Sequence, residues 1–445
     1  MAKIFPFRAL RYNPGRVAIS DVVTQPYDKI SVSMQDRYYG ASPYNLVRVI
    51  LGKAQSGDSD SENVYTRAAA NLRKWQSEQV LQRDMEPSIY LYSQTFRVPD
   101  DSSRTQHERR GLIATGQLEE YDRKVVFRHE QTLSKPKADR LNLLRASQAH
   151  FGQIFMLYSD PAGAVDACLA QSGPPNVEIR DEYDVIHRMW RISDATTVAK
   201  VQAAMTDKKL IIADGHHRYE TALNYRSEMR RQFGDAPDAP YERVMMTLVN
   251  MDSPGLLILP THRVVFGLQG FEIGSTLTKL KRYFDIESLG PVATTAKTAT
   301  DRLREAGREF PALLAVTADA AFLLRALPNQ QSEALAGQSV QQRALDVVQL
   351  HKLVLEETLG MSEEDIRDQK HLKYVRESQE AVEEVRRGAN VAFLMNPARM
   401  EQVCDIAFSG DVLPQKSTDF FPKLLSGLTI YSLEDAAQPA VSGGR

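Results

Sequence analysis

Cysteine is nearly absent: Cys168 and Cys404 are the only two in 445 residues, far apart and without CxxC spacing. That argues against a disulfide framework and a cysteine-based zinc site, and a reducing cytoplasm fits. A charge bias is lacking too. Lys and Arg number 55 against 57 Asp and Glu, mixed along the chain, for a formal net charge of -2. Proteins built mainly to hold nucleic acid carry a basic bias or a basic tail, so nucleic acid is not the expected partner. No apolar run approaches membrane-spanning length, and the start, Met1 to Arg8, has no apolar signal core. A cytoplasmic protein without a membrane partner is expected. The signatures GxxxxGK[ST], GxGxxG and HExxH are all missing, so any nucleotide must be held by another device.

What the chain does contain is a globular composition long enough for two or three domains. Alternation, turn residues and helical spacing predict a mixed α/β (α+β) chain. A helix is expected over residues 63–79 and strands over 88–98, 111–119 and 154–158. A basic amphipathic helix is expected over 135–149, a helix over 161–171, and two strands within 177–192 joined by a charged turn at Asp181-Glu182. Asp194 is expected to cap a helix. Asp235 to Pro240 reads as a linker. Beyond it come strands over 241–250, 256–266, 312–316 and 390–395, and helices over 275–283, 296–306, 346–359 and 400–410. This places an N-terminal α/β region at 1–110, a central domain at 111–240, a C-terminal α/β domain at 241–435 and a disordered tail at 436–445.

The most informative stretch is Lys209 to Leu223. Leu210 to Ala213 is an apolar run too short for a helix, Asp214-Gly215 is a turn, and Ala222, Tyr225, Met229 and Phe233 recur at helical spacing. Asp214 is the expected N-cap, a residue to which the resemblance given below adds a possible Mg²⁺ role, and Gly215 permits close approach. A helix N-terminus carrying His216, His217 and Arg218 concentrates donors and positive charge, and phosphate is the simplest ligand for it. A metal site is the other use of paired histidines, but no further ligand spacing accompanies them. His129-Glu130 follows an apolar strand and precedes Lys135, Lys137, Arg140 and Arg145. Glu130 is placed to act as a general base there, or both residues lie in a solvated loop. Lys416, Ser417, Thr418 and Lys423 combine cations and hydroxyls that can contact phosphate, or form a plain exposed loop. Thr261-His262-Arg263 offers two potential cations at an interrupted strand pair, which edge exposure explains equally well. Pro26-Tyr27-Asp28 reads as a turn, with Asp28 able to serve as a metal-binding carboxylate.

Taken together, Pro26 to Asp28, Ser42-Pro43-Tyr44-Asn45, His129-Glu130 with Thr132, Ala213 to Tyr219, Pro260 to Arg263 and Pro414 to Thr418 resemble the domain of unknown function 1015 family. More distantly, Asp214-Gly215-His216-His217-Arg218 is similar to the DGHHR element of the ParB/sulfiredoxin superfamily, particularly free serine kinase. That resemblance implies a ParB/sulfiredoxin-like central domain whose turn, Asp214 to Arg218, holds nucleotide phosphates. It also implies a phosphotransferase using ATP or ADP with Mg²⁺, acting on free serine or O-phosphoserine. Glu130 would be the base, and His129 would orient it or contact phosphate. Lys416, Ser417, Thr418, His262 and Arg263 would be further substrate contacts. One departure is spacing: roughly eighty residues separate the two motifs here, far more than in free serine kinase. Sulfiredoxin has a cysteine where this chain has His216, which argues against sulfinic-acid repair. The helix-turn-helix and dimerisation tail of ParB proteins have no counterpart. A phosphate-ester hydrolase and a non-catalytic nucleotide-binding regulator are the alternative readings.

Overall fold

The structure is a computed structural model that describes residues 1–99, 105–131, 134–170, 173–328 and 332–434. Thr132 and the tail beyond 435, for which disorder was expected, lie outside the described residues. Helices and strands are mixed throughout, as the patterning predicts. Two compact units are present. The first joins Met1–Arg128, Thr132–Leu256 and Pro422–Arg445; the second joins His129–Gln131 and Leu257–Phe421.

The first unit is built on a nine-stranded mixed sheet. In spatial order its row runs Val126–Phe127, Leu210–Asp214, Ile154–Tyr158, Arg243–Asn250, Gln106–Gln117, Ile89–Arg97, Ile186–Ile192 and Val177–Arg180. Ile4–Phe5 pairs with Gln106–Gln117 beside the row. The boundaries expected at 110 and 240 both meet this sheet: one strand crosses residue 110, and Arg243–Asn250 pairs between Gln106–Gln117 and Ile154–Tyr158. Strand pairing ignores composition, so the polar stretch 235–240 is a surface connection within the unit rather than a linker. One face of the sheet packs Leu112, Met156, Ile212 and Leu248 against Val201, Met205, Tyr219 and Ala222. A separate cluster gathers Leu10, Leu46, Trp75, Leu143 and Phe151 with Ile430 from the C-terminal strap. Each such side chain, fully buried, contributes roughly 1.5–3 kcal/mol. The helix Val64–Ser77 begins where Asn63 and Thr66 close a capping box, which explains its sharp start.

The second unit carries a six-stranded antiparallel sheet in the order Phe284–Pro291, Ala320–Ala326, Ala312–Val316, Val391–Met395, His262–Val265, Leu372–Val375. The expected strand over 256–266 is broken at Pro260-Thr261. Leu257–Leu259 pairs instead with Asp419–Phe421, because proline cannot continue a ladder. The expected helix over 346–359 is α-helical for Asp346–Gln349 and then widens into a π-helix over Leu350–Thr358, with Leu350, Leu353, Val354 and Leu355 buried.

Candidate functional site

The strand Leu210–Asp214 is buried and carries a bulge against Phe155 between Ile212 and Asp214. Bulges re-aim the residue that follows, and here that residue ends the strand. Asp214 is therefore not the expected helix cap. Gly215 occupies that position at φ 97° and ψ 25° and, being glycine, brings no capping side chain to the helix His216–Phe233. This left-handed conformation suits only glycine well. A Cβ at 215 would also stand 3.1 Å from the Arg218 guanidinium, and one at Gly152 would stand 2.9 Å from its Nη1. Two glycines thus make room for one arginine, whose Nη1 donates to the Gln153 carbonyl at 2.6 Å. The Asp214 carboxylate lies 3.9 Å from Arg218 Nη2 and 3.4 Å from Lys423 Nζ. His216 is buried, while His217 and Arg218 are half-buried. The helix face predicted to be apolar drifts: Tyr219, Ala222, Leu223 and Arg226 face inward, whereas Phe233 is 64% exposed.

Beside Arg218 lies a cleft with about 540 Å³ of empty space, lined by Pro26, Tyr27, Arg140, Phe151, Thr221 and Ser426 among others. Tyr27 begins a short 3-10 turn, as expected of Pro26-Tyr27-Asp28, and its ring lies under the Arg140 guanidinium at 4.1 Å. Burial, with the Asp28 charge second, pushes the Tyr27 phenol up to about 12, so it stays protonated and able to donate. Arg140 is fixed by the Ile50 carbonyl at 2.7 Å and by Asp139. The Thr221 hydroxyl is buried in this wall without a hydrogen-bond partner among the described residues. Other cations of the expected basic helix pair elsewhere: Lys137 with Glu220 and Arg145 with Glu228.

One residue of this site was read from the sequence with other neighbours, and one was not singled out at all. Lys423 was grouped with Lys416 to Thr418, yet it belongs to the first unit with Asp214. Arg109 looks like an exposed strand arginine, but it is 2% exposed and donates to Gln94 Oε1 and to the Pro422 carbonyl. Burial pulls its guanidinium down to about 9, still charged at neutral pH. No local pattern distinguishes such an arginine from a solvated one.

The second unit gathers the remaining candidates. His129 and Gln131 exchange backbone hydrogen bonds with Leu413, and Glu130 Oε1 accepts from the Lys416 N–H at 2.8 Å. His129 is fully buried, with Nε2 2.8 Å from Thr418 Oγ1. Ser417 donates to the Pro414 carbonyl at 2.5 Å, and Lys416 sits at φ 58°. This is a tied loop rather than a plain exposed one. Arg263 is buried over the Tyr374 ring and donates to the carbonyls of Thr261 and Lys416. Burial lowers it to about 10. His262 is not the expected cation: burial and then the Arg263 charge lower it to about 3, and its Nδ1 accepts from Met395 N–H at 3.2 Å.

A resident Mg²⁺ does not fit Asp214. Hard cations want several oxygen ligands, whereas this carboxylate is flanked by an ammonium and a guanidinium. Among the described residues, no group of three or more His, Cys, Asp or Glu side chains is placed to hold a metal. No helix among them is long and apolar enough to cross a membrane.

Residues 4–348 match a protein family described as a protein of unknown function, DUF1015. The chain belongs to that family. No curated protein matches this DUF1015 chain. Among solved structures it is similar to a conserved hypothetical protein from Pyrococcus furiosus, at TM-score 0.35 and 13% identity over 73% of this chain and 96% of that one. It is also similar to free serine kinase in complex with AMP, at TM-score 0.35 and 14% identity over 71% and 92%. A third is SbnI with a C-terminal truncation, from Staphylococcus aureus, at TM-score 0.34 and 9% identity over 72% and 87%.

Proposed function

We propose that this protein is a phosphotransferase of the serine kinase type, moving a phosphoryl group between an adenine nucleotide and free L-serine or O-phosphoserine, in either direction. One observation carries the reading. The left-handed Gly215 starts the long helix His216–Phe233, with Arg218 and Lys423 gathered at Asp214 beside that start. Helix N-termini and cations together favour a phosphate group. Phosphoryl transfer depends chiefly on positioning and on neutralising charge, and this turn offers both.

Gly215, His216, His217 and Arg218 hold the phosphates in this proposal. Glu130 takes the serine hydroxyl proton in the kinase direction and returns it in the reverse direction. His129, through Thr418, steadies the segment that carries Glu130. Lys416, Ser417 and Thr418 act on Glu130 through the Lys416 N–H, which holds one oxygen of the base. No step is assigned to a metal.

Incubating the purified protein with O-phosphoserine, with and without ADP, tests the proposal. ATP formed only when ADP is present is the expected result. Phosphate release without ADP would mark a hydrolase instead. Tight ADP binding with neither product would mark a regulator.

A further inference from the structure

We infer that Lys423 is a phosphate-contact residue of this site, an assignment that rests on the reading of the Gly215 turn as a nucleotide phosphate site. Its ammonium is buried, 8% exposed, and stands 3.4 Å from Asp214 Oδ2, while Arg218 faces the other carboxylate oxygen at 3.9 Å. Asp214 thereby gathers two cations at the start of the helix His216–Phe233. A lysine offers a compact charge with three rotatable donors, which suits a phosphate oxygen at such a mouth.

The position of Lys423 is also fixed from behind. The carbonyl of Pro422 accepts from Arg109 Nη2, and the carbonyl of Lys423 accepts from Gln94 Nε2 at 2.8 Å. Arg109 and Gln94 are tied to each other at 2.5 Å across the neighbouring strands Gln106–Gln117 and Ile89–Arg97. Next in the strap, the Leu425 N–H meets the Tyr92 hydroxyl at 3.5 Å. That hydroxyl lies 2.6 Å from His187 Nδ1, and His187 Nε2 lies 3.1 Å from Asp181 Oδ2. Ser426 and Thr24 then exchange backbone hydrogen bonds. Burying a guanidinium and a histidine–aspartate pair behind a strap is costly. It yields a pre-set backbone, and a pre-set charge is what a site for phosphate needs.

The bland alternative is a structural ion pair between Lys423 and Asp214. A nucleoside and its nucleotide tell the two apart, because only the latter carries phosphate. Calorimetric titration of the full chain with ADP and with adenosine is the test, on wild type, Lys423→Met and Lys423→Arg. Losing a charged hydrogen bond to phosphate raises the ADP Kd roughly ten- to hundredfold in Lys423→Met. Adenosine binding stays as in wild type, and Lys423→Arg recovers most of the ADP affinity. An ADP Kd equal to that of wild type in Lys423→Met overturns the assignment while leaving the phosphate site standing. No ADP binding by wild type overturns both. Should Lys423→Met fail to fold, amine labelling of wild type read by peptide mass spectrometry decides the matter. ADP but not adenosine lowers labelling at Lys423 if the assignment holds, and equal labelling under both overturns it.

Discussion

What a carboxylate can do depends on what its two oxygens touch. Glu130 receives the Lys416 N–H on Oε1, and the buried Arg263 adds its field. An amide keeps the acceptor and loses the basicity. Glu130→Gln should therefore melt within a few degrees of wild type while turnover falls by about 10²–10⁴-fold. Steady-state ATP formation and a thermal melt measure the two quantities, and unchanged turnover would remove Glu130 as the base. His217 differs in kind, being a half-buried donor on the first turn of the helix. His217→Ala should weaken ADP binding itself, read as a higher Kd by titration, with little change in the melting temperature. Equal affinity in the two proteins would exclude His217 from the phosphate contacts.

At the scale of the element, the strand–turn–helix from Leu210 to Phe233 depends on one backbone angle. Gly215 at φ 97° allows the chain to leave a bulged strand and enter a helix at once. An alanine there is strained by about 1–2 kcal/mol. Its Cβ would also press on the Arg218 guanidinium, 3.1 Å away, and loosen the bond to the Gln153 carbonyl. Gly215→Ala should thus lower the denaturant midpoint and weaken ADP binding together. A variant that loses stability but binds ADP as wild type does would show that Arg218 is not part of the phosphate site. Gly215, rather than the expected Asp214, holds the cap position because a one-residue bulge places glycine at the helix start.

For the whole molecule, buried histidines set the response to acid. Burial lowers His150 to about 4 and His262 to about 3, and it also lowers His187 and His351. Each is a base whose folded pKa lies below its ordinary value near 6.5. As pH falls through 6.5 the unfolded chain takes up protons that the fold refuses, so stability is complete above that pH and lost progressively below it. Asp346 acts in the opposite direction. Its carboxyl, raised by burial to about 6, keeps a proton in the fold that the unfolded chain releases, adding stability as pH falls from 6 toward 4. Four histidines outweigh one aspartate, so the melting temperature should fall between pH 7 and pH 5. His262→Asn, which retains an acceptor for the Met395 N–H, should flatten that slope. A scanning fluorimetry series across this range measures both, and a melting temperature that holds or rises on acidification would contradict the account.

Local chemistry was legible in the sequence. The turn at Gly215, the helix start at Asn63, the cap at Asp194 and the strand Ile154–Tyr158 rest on neighbouring residues, whose side chains and backbone meet whatever the rest of the chain does. The second sheet was less so. Phe284–Pro291 buries little beyond its first residue, and Leu372–Val375 is only four residues long, so neither shows a clean alternation. Distant pairings were not legible at all. Glu130 meets Lys416 across 286 residues, Arg109 meets Pro422 across 313, and strands on both sides of residue 240 share one sheet. Periodicity reports which face of an element is apolar, whereas the partner of that face is chosen by the packing of the whole chain. By itself the sequence determined a mixed fold and the strand, turn and helix that run from Leu210 to Phe233. Only the tertiary structure could place Lys423 beside Asp214, because a buried lysine and a solvated one are the same letters until the chain closes around one of them.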